Sequence, residues 1–193
     1  IGNQNVSNPL FLAPMAGVTD SSFRRLCRRH GAEVVYTEMV SAKALSYHNE
    51  NTGELLRKHP EEEPVILQLF GSDPDILAEE AHKLESRFFA VDLNFGCPAP
   101  KIVRNHEGSY LLKEPDRLYA IVKAVSSAVS IPVTVKIRKG FEDGENVAPD
   151  IARAAEEAGA SMIAVHGRTT AQMYRGHADW DVIRQVKEAV SIP

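Results

Sequence analysis

The sequence predicts an α/β fold with a parallel sheet, because six apolar runs typical of strands alternate with segments of helical period. The apolar runs lie at 10–13, 34–37, 65–70, 89–94, 133–138 and 162–166. Each run is followed by enough chain for the crossover connection that parallel strands need. Strand and helix alternating six times over therefore predicts six βα units.

The segments between the strands carry apolar residues at helical spacing. Such residues are Leu77, Ala81, Leu84 and Phe88 in one segment and Leu118, Ile121, Val122, Val125 and Val129 in another. Pro74 and Pro115 lie where helices should begin, and Gly31 and Gly159 where helices should end. These signals predict helices that bury one face against the sheet.

The tripeptide Ser-Ile-Pro occurs at 130–132, before the fifth predicted strand, and again at 191–193. We therefore expect a further strand to begin after Pro193. Six βα units and the approach to another predict a TIM (β/α)8 barrel, present as about its first six units. A doubly wound sheet is the alternative, but no Gly-x-Gly-x-x-Gly follows the first strand. We expect one domain over 1–193, incomplete at its C-terminal side.

Composition excludes several other classes of protein. The chain has 193 residues, 44% of them hydrophobic, and a formal net charge of −4, which is typical of a globular domain. It contains no apolar run of the roughly 18 residues that a membrane helix needs, and no signal peptide. Cys27 and Cys97 lie far apart and do not have the spacing of metal ligands. We expect a cytoplasmic protein without membrane contact or a metal site.

Polar residues recur near the ends of the predicted strands. Thr134, Lys136 and Arg138 share one face of their strand because side chains alternate, and we expect this face to line the barrel lumen. Others lie late in their strands, namely Glu38, Gln68, Asn94 and His166. One such residue alone is well explained as a satisfied polar group inside a barrel. Several at equivalent positions predict an active site at the C-terminal end of the strands.

Cys97 lies between a glycine and a proline in a predicted loop over 95–114. Loops between a strand and a helix usually have about two to six residues, and longer ones are often functional. Cys97 is either a small buried apolar residue or a general acid. A lysine and an amide can hold the polar edge of an electron-poor heterocycle, which together with a thiol suits a flavin. The residues alone do not name the substrate.

Several motifs together resemble the flavin-dependent tRNA-dihydrouridine synthases. They are "LAPMAGVTDSSFRRL", "EMVSAK", "ILQLFGSDP", "VDLNFGCPAPK", "GSYLL", "VTVKIRKGF" and "IAVHGRTTAQMYRGHADW", in the order of that family. The resemblance extends from about Leu12 to the end of the chain and is nearest to the bacterial B-type enzymes. It implies FMN bound in the barrel, NADPH as the electron donor, and reduction of the C5=C6 bond of a uridine in the tRNA D-loop.

The resemblance also implies roles for individual residues. Cys97 would be the catalytic residue that protonates C5. The cofactor would contact Pro14, Met15, Ala16, Gln68, Asn94, Lys136 and His166, with Gln68 and Lys136 at its pyrimidine edge. The substrate would contact Asn94, Lys101, Arg104, Arg138 and Arg168, of which Lys101 and Arg104 would meet backbone phosphates.

The chain departs from the family pattern in three respects. It lacks the flavin-phosphate segments of the seventh and eighth strands, and the C-terminal helical domain that binds tRNA. Tyr110 stands where alanine is common in relatives, and its role is left open. Two alternatives are another FMN barrel oxidoreductase, similar to dihydroorotate dehydrogenase, and an inactive truncated fragment. The combination of "NFGCP" with "HGRT" argues against the first.

Overall fold

The computed structural model describes residues 1–8 and 10–193, which form one parallel sheet with helices between its strands. The strands are β1 (Phe11–Leu12), β2 (Val34–Tyr36), β3 (Val40–Ser41), β4 (Val65–Phe70), β5 (Ala90–Phe95), β6 (Val133–Gly140) and β7 (Met162–Thr169). Their order is β1, β2, β4, β5, β6, β7, and β3 pairs with β4 beyond the end of β2. All six predicted strands are confirmed, and β3 was not predicted.

Eight α-helices connect these strands in the described part of the chain. They are α1 (Ser21–Arg29), α2 (Ala42–Ser46), α3 (Glu50–Glu54), α4 (Pro74–Leu84), α5 (Pro100–Arg104), α6 (Pro115–Ala128), α7 (Ala148–Glu157) and α8 (Trp180–Ala189). Short 3-10 helices lie at Pro60–Glu62, Glu85–Arg87 and Gly108–Lys113. None of the described helices combines the length and apolar character needed to cross a bilayer.

The segment 95–114, which was predicted as a long loop, contains more regular secondary structure than predicted. It contains α5 and the 3-10 helix Gly108–Lys113. Pro100 lies in the first turn of α5, where its fixed φ suits a helix start. Periodicity did not reveal α5 because five residues are too few to establish an apolar stripe.

The two faces of the sheet have different partners, as predicted. On β6, Val133, Val135 and Ile137 belong to the main apolar core, which includes the buried residues of α4, α6, α7 and α8. The opposite face of β2, β4 and β5 contributes a small second cluster of Val34, Tyr36, Ile66 and Ala90. Helices thus cover one face, and the other face lines an interior, which is the arrangement of βα units in a TIM barrel. The doubly wound alternative does not fit, since its helices would cover both faces.

Two glutamates each bind a serine that lies just before a segment paired with the sheet. Ser130 donates from its backbone N–H and its hydroxyl to the carboxylate of Glu85, at 2.6 and 2.7 Å. Ser191 donates in the same way to the carboxylate of Glu156, with a backbone distance of 2.9 Å. In each case these hydrogen bonds are the main cause that lowers the pKa of the glutamate. We call the two pairs carboxylate clasps.

The two Ser-Ile-Pro tripeptides are equivalent in structure as well as in sequence. The carbonyl of Pro132 accepts a hydrogen bond of 3.0 Å from the N–H of Val91 in β5. The carbonyl of Pro193 accepts one of 2.9 Å from Ile163 in β7. Pro193 therefore lies beside β7 as Pro132, directly before β6, lies beside β5.

Candidate active site

A cavity of 540 Å³ lies at the C-terminal ends of β4, β5 and β6, where the sequence predicts a site. Its volume is in the range of small-molecule sites. Seven of the predicted site residues line it: Pro14, Met15, Ala16, Gln68, Asn94, Cys97 and Lys136. The other lining residues are mainly apolar, so the cavity combines an apolar wall with one ammonium group, two amides and one thiol.

A buried polar layer lies under this cavity. Gln68, Asp92 and Thr134 are register partners on adjacent strands. Both oxygens of the Asp92 carboxylate are occupied, since Gln68 Nε2 donates to one at 2.6 Å and Thr134 Oγ1 to the other at 2.5 Å. Asp92 is fully buried, and this burial raises the pKa of its carboxyl to about 6, against the effect of its two donors.

The next layer connects this carboxylate to the Cys97 loop. Asn94 Nδ2 donates to Gln68 Oε1 at 2.9 Å. Asn94 Oδ1 accepts from the backbone N–H groups of Gly96 and Cys97, at 3.1 and 2.8 Å. The side chain of Asn94 therefore joins the polar layer to the backbone that carries the thiol.

Cys97 is also held from its C-terminal side. Its carbonyl accepts from the N–H of Ser109 at 3.1 Å and from the Ser109 hydroxyl at 2.9 Å. Gly108 packs so closely that a Cβ at that position would lie 2.9 Å from the Cys97 carbonyl oxygen, and its φ is +60°. Hydrogen bonds on both sides thus fix the Cys97 backbone at the cavity wall.

Lys136 is the cation of the cavity. It pairs in register with Asn94, and within the described residues its Nζ makes no hydrogen bond or ion pair. Burial lowers the pKa of its ammonium, while the charge of Asp92 acts in the opposite direction. An ammonium that is largely desolvated and has no fixed partner is suited to bind an anionic or carbonyl-bearing ligand.

Arg138 lies beside the cavity and binds backbone carbonyls. Its Nε donates to Gly96 at 2.8 Å, and its Nη1 donates to Thr169 and Met173 at 3.0 and 2.8 Å. It is 2% exposed, and the Tyr174 ring lies 5.7 Å from its guanidinium carbon. These contacts join the Cys97 loop to the loop after β7, whereas its predicted contact with substrate stays a prediction.

His166 and Arg168 lie together on β7, outside the cavity lining. Arg168 Nη1 is 3.3 Å from His166 Nε2, and because a guanidinium only donates, this nitrogen accepts and the imidazole proton is on Nδ1. Burial, followed by the charges of Arg138, Lys136 and Arg168, lowers the pKa of His166 to about 4. The ring is therefore neutral at pH 7.

The predicted phosphate contacts, Lys101 and Arg104, are exposed on α5, the short helix that follows the Cys97 loop. Tyr110, whose role the sequence left open, stacks on the His106 ring at 4.1 Å and meets the Phe141 ring edge-on at 6.1 Å. It therefore packs this segment against the loop after β6. No group of three metal-ligating side chains occurs among residues 1–8 and 10–193.

Among the residues of the site that were not predicted from the sequence are Asp92, Met173 and Tyr174. Asp92 lies two positions before Asn94 on the same face of β5, and a carboxylate inside the apolar run "AVDLNF" was a usable signal. Met173 and Tyr174 reach the cavity from the loop after β7 and are 42% and 74% exposed. No spacing rule connects them to the cavity.

The solved structures that resemble this chain support the fold. A Toxoplasma gondii protein named as a deoxyribose-phosphate aldolase gives a TM-score of 0.54 at 18% identity, covering 93% of this chain and 69% of that protein. The carboxyl transferase domain of Rhizobium etli pyruvate carboxylase gives a TM-score of 0.50 at 14% identity, covering 90% and 33%. Identities this low show similarity of fold alone.

Comparisons of sequence are more specific. The chain is 44% identical over 198 residues to a Rickettsia conorii protein named as a tRNA-dihydrouridine synthase, covering all of this chain and 59% of that protein. It is 42% identical over 194 residues to the tRNA-dihydrouridine synthase B of Vibrio vulnificus, covering 100% and 60%. The chain thus spans about three fifths of the length of these curated relatives.

The family model for dihydrouridine synthases matches residues 11–193, nearly the whole chain. This match includes the strands and loops that form the cavity, and it confirms the predicted family over the dihydroorotate dehydrogenase-like alternative. The chain therefore belongs to the dihydrouridine synthase family.

Proposed function

We propose that residues 1–193 are an FMN-binding catalytic domain of a tRNA-dihydrouridine synthase, in which Cys97 protonates C5 of a D-loop uridine. The observation that carries the proposal is the position of Cys97. Hydrogen bonds to both of its neighbouring peptides fix it at the wall of a cavity that also contains Lys136. A thiol placed in this way in the same cavity as an ammonium is suited to proton donation during a reduction.

The residues of the cavity fit a flavin. Pro14, Met15 and Ala16 supply an apolar wall for a planar ring, and the volume of 540 Å³ suits part of a cofactor and a base. Lys136 would stabilise negative charge on the pyrimidine edge of the ring, since its ammonium has no fixed partner. When bound, FMN reduced by NADPH supplies the hydride that C6 of the uridine receives.

Gln68 would contribute to this site by its position as well as by the second N–H of its side chain, which no described partner uses. Its side-chain nitrogen is used by Asp92 and its side-chain oxygen by Asn94, and it is 1% exposed. Asn94 likewise directs its amide at Gln68 and at the Cys97 loop. We therefore expect Gln68 and Asn94 to shape the floor under the cofactor and to hold the acid, as well as to contact the flavin.

The thiol of Cys97 would deliver the proton that completes the reduction. The C5=C6 π bond is lost as hydride bonds to C6 and the thiol proton bonds to C5, which leaves Cys97 as a thiolate to be reprotonated from solvent. Lys136 on the same cavity wall would favour this thiolate while it lasts. General acid catalysis of this kind typically contributes about 10² to 10⁴ in rate.

The RNA would be bound around the cavity mouth. Lys101 and Arg104 are exposed on α5, next to the loop that carries Cys97, and they are available to backbone phosphates. Arg168 and His166 lie on the β7 side, and Arg138 holds the two loops between which a uridine would enter. A base inside a folded tRNA must leave its stack to reach this depth.

The two cysteines of the chain allow a matched test. Cys97→Ala should retain bound flavin but lower the single-turnover rate of dihydrouridine formation by about 10² to 10⁴, measured with pre-reduced enzyme and tRNA. Cys27→Ala, in α1 against the main apolar core and outside the cavity lining, should leave that rate unchanged. Equal rates for both variants would exclude Cys97 as the proton donor. Absence of dihydrouridine with the flavin-loaded full-length parent protein would exclude the activity itself.

A further inference from the structure

A single chain of hydrogen bonds runs from a buried carboxylate to the peptide of Cys97. It begins at Asp92, passes through the amides of Gln68 and Asn94, and ends at the N–H groups of Gly96 and Cys97. No link exceeds 3.1 Å. The chain connects a residue that the proposed reaction does not use to the residue that donates the proton.

The direction of this chain is determined at both of its ends. The ionised carboxylate of Asp92 only accepts, so Gln68 must direct its nitrogen toward Asp92 and its oxygen toward Asn94. The peptides of Gly96 and Cys97 only donate, so Asn94 must direct its oxygen toward them and its nitrogen toward Gln68. Both ends require the same orientation of the two amides.

Burial makes this orientation hard to change. Asp92, Gln68 and Asn94 are 0%, 1% and 8% exposed. Without an acceptor at position 92, the Nε2 donor of Gln68 would be buried without its partner while its oxygen still faced Asn94. A flip of Gln68 would not relieve this, because it would direct a donor at the donor of Asn94. Water has little access to replace a lost partner at these positions.

We propose that Asp92 is a positioning residue for Cys97, which orients Gln68 and Asn94 so that the Asn94 oxygen holds the Gly96 and Cys97 peptides. Its value for catalysis rests on the function proposed above for Cys97. The hydrogen-bond chain itself does not depend on that function. Asp92 does not touch the substrate in this scheme, since its carboxylate lies one layer below the cavity.

Asp92 has a second neighbour through which it would act differently. Its charge favours the charged form of Lys136, which lines the cavity. The two roles are separable by Asp92→Asn, because an asparagine can accept from Gln68 through its oxygen and donate to the Thr134 hydroxyl through its nitrogen. This variant keeps the orientation of the chain and removes the charge.

The test measures hydrogen exchange by NMR at the amides of Gly96 and Cys97, with the strand amide of Val135 as an internal reference. Asp92→Leu should accelerate exchange at both loop amides on the order of tenfold, the factor expected when a hydrogen bond of ordinary net strength is lost. Asp92→Asn should change it by less than about threefold. Thr134→Val, which removes the other donor to Asp92, should also leave it within about threefold while lowering stability.

A double variant covers the case in which Asp92→Leu does not fold. Asp92→Leu with Gln68→Met replaces both partners of their shared hydrogen bond by apolar side chains, so that no Gln68 donor is left buried and unpaired. Asn94 Nδ2 and Thr134 Oγ1 lose their acceptors in this variant. It should accelerate exchange at the two loop amides as the single variant does. These readouts are informative whether or not the protein makes dihydrouridine.

Two results would overturn the proposal. The first is unchanged exchange at Gly96 and Cys97 in the folded Asp92→Leu or double variant. The second is an Asp92→Asn variant that loosens the loop as much as Asp92→Leu, which would assign the effect to the charge. Fast exchange confined to the leucine-containing variants, with Thr134→Val and Asp92→Asn close to the parent, supports it.

Discussion

The buried carboxyl of Asp92 should make the stability of this protein depend on pH in a specific way. Its pKa is raised by burial from 3.8 to about 6. The folded state therefore holds a proton at pH values where the unfolded chain has lost it, so Asp92 contributes stability below pH 3.8 that disappears as the pH rises through 6. At about 1.4 kcal/mol per pKa unit, the full effect is about 3 kcal/mol.

Asp92→Asn removes this dependence and keeps the shape of the side chain. Between pH 8 and pH 5 the parent should gain about 1.4 kcal/mol in the free energy of unfolding relative to the variant, because roughly half of the effect falls in that window. Urea unfolding followed by circular dichroism at pH 5, 6, 7 and 8 measures the difference. Titrating groups that do not interact with Asp92 are common to both proteins and cancel in the comparison.

Thr134→Val supplies a control in which the pH dependence from Asp92 should be kept and shifted rather than removed. It keeps the carboxyl of Asp92 but removes a donor that lowers its pKa, so the titration should move to higher pH. A free-energy difference between Asp92→Asn and the parent that does not vary with pH would refute the reasoning. It would mean that the carboxyl is not desolvated in the folded protein.

Three further perturbations test other parts of the structure. Lys136→Met should weaken FMN retention and lower the flavin potential in a redox titration, because a cation beside the ring favours its anionic reduced form; an unchanged potential would place Lys136 away from the pyrimidine edge. Gly108→Ala should lower the midpoint of urea unfolding more than Gly144→Ala. Both glycines have a positive φ, at which an alanine costs about 1 kcal/mol, but of the two only Gly108 lacks room for a Cβ. Equal losses would mean that the contact with Cys97 is not tight. Glu85→Gln should lower the melting temperature at pH 7 and have little effect in acid. The pKa of Glu85 is lower in the folded protein than in the unfolded chain, so its carboxylate stabilises the fold at pH values above the unfolded-state pKa. This contribution is lost as the pH falls through the folded-state pKa. A melting difference that is the same at both pH values would argue against an ionised partner for Ser130.

The periodicity of the sequence predicted the strands best where they are wholly buried. The run 65–70 matches β4 at both ends and the run 89–94 differs from β5 by one residue at each end, and nearly every position of these two strands is buried. β6 and β7 extend to Gly140 and Thr169, beyond the predicted ends at 138 and 166. Strands that reach the barrel mouth carry charged residues and glycines among their last residues, and in a sequence such residues are typical of loops.

The site was predictable to the extent that it depends on alternation along single strands. Gln68, Asn94 and Lys136 follow from the period of two and from the rule that barrels do chemistry at strand ends. The hydrogen bonds of Arg138 to carbonyls 31 to 42 residues away do not, because they depend on how two loops meet. Asp92 was overlooked because its partners lie on neighbouring strands and are not apparent along the chain.

The carboxylate clasps lie at the strand ends opposite the cavity, where Ser130 and Ser191 precede their sheet positions. The end of the sheet with the clasps therefore contributes to the stability of the βα units, whereas the opposite end, with the cavity, determines what the protein binds. Substitutions at one clasp can therefore raise or lower the melting temperature of the domain without changing the residues that line the cavity. Conversely, a barrel of this kind can exchange its upper loops for a different substrate while the lower end keeps the strands in register.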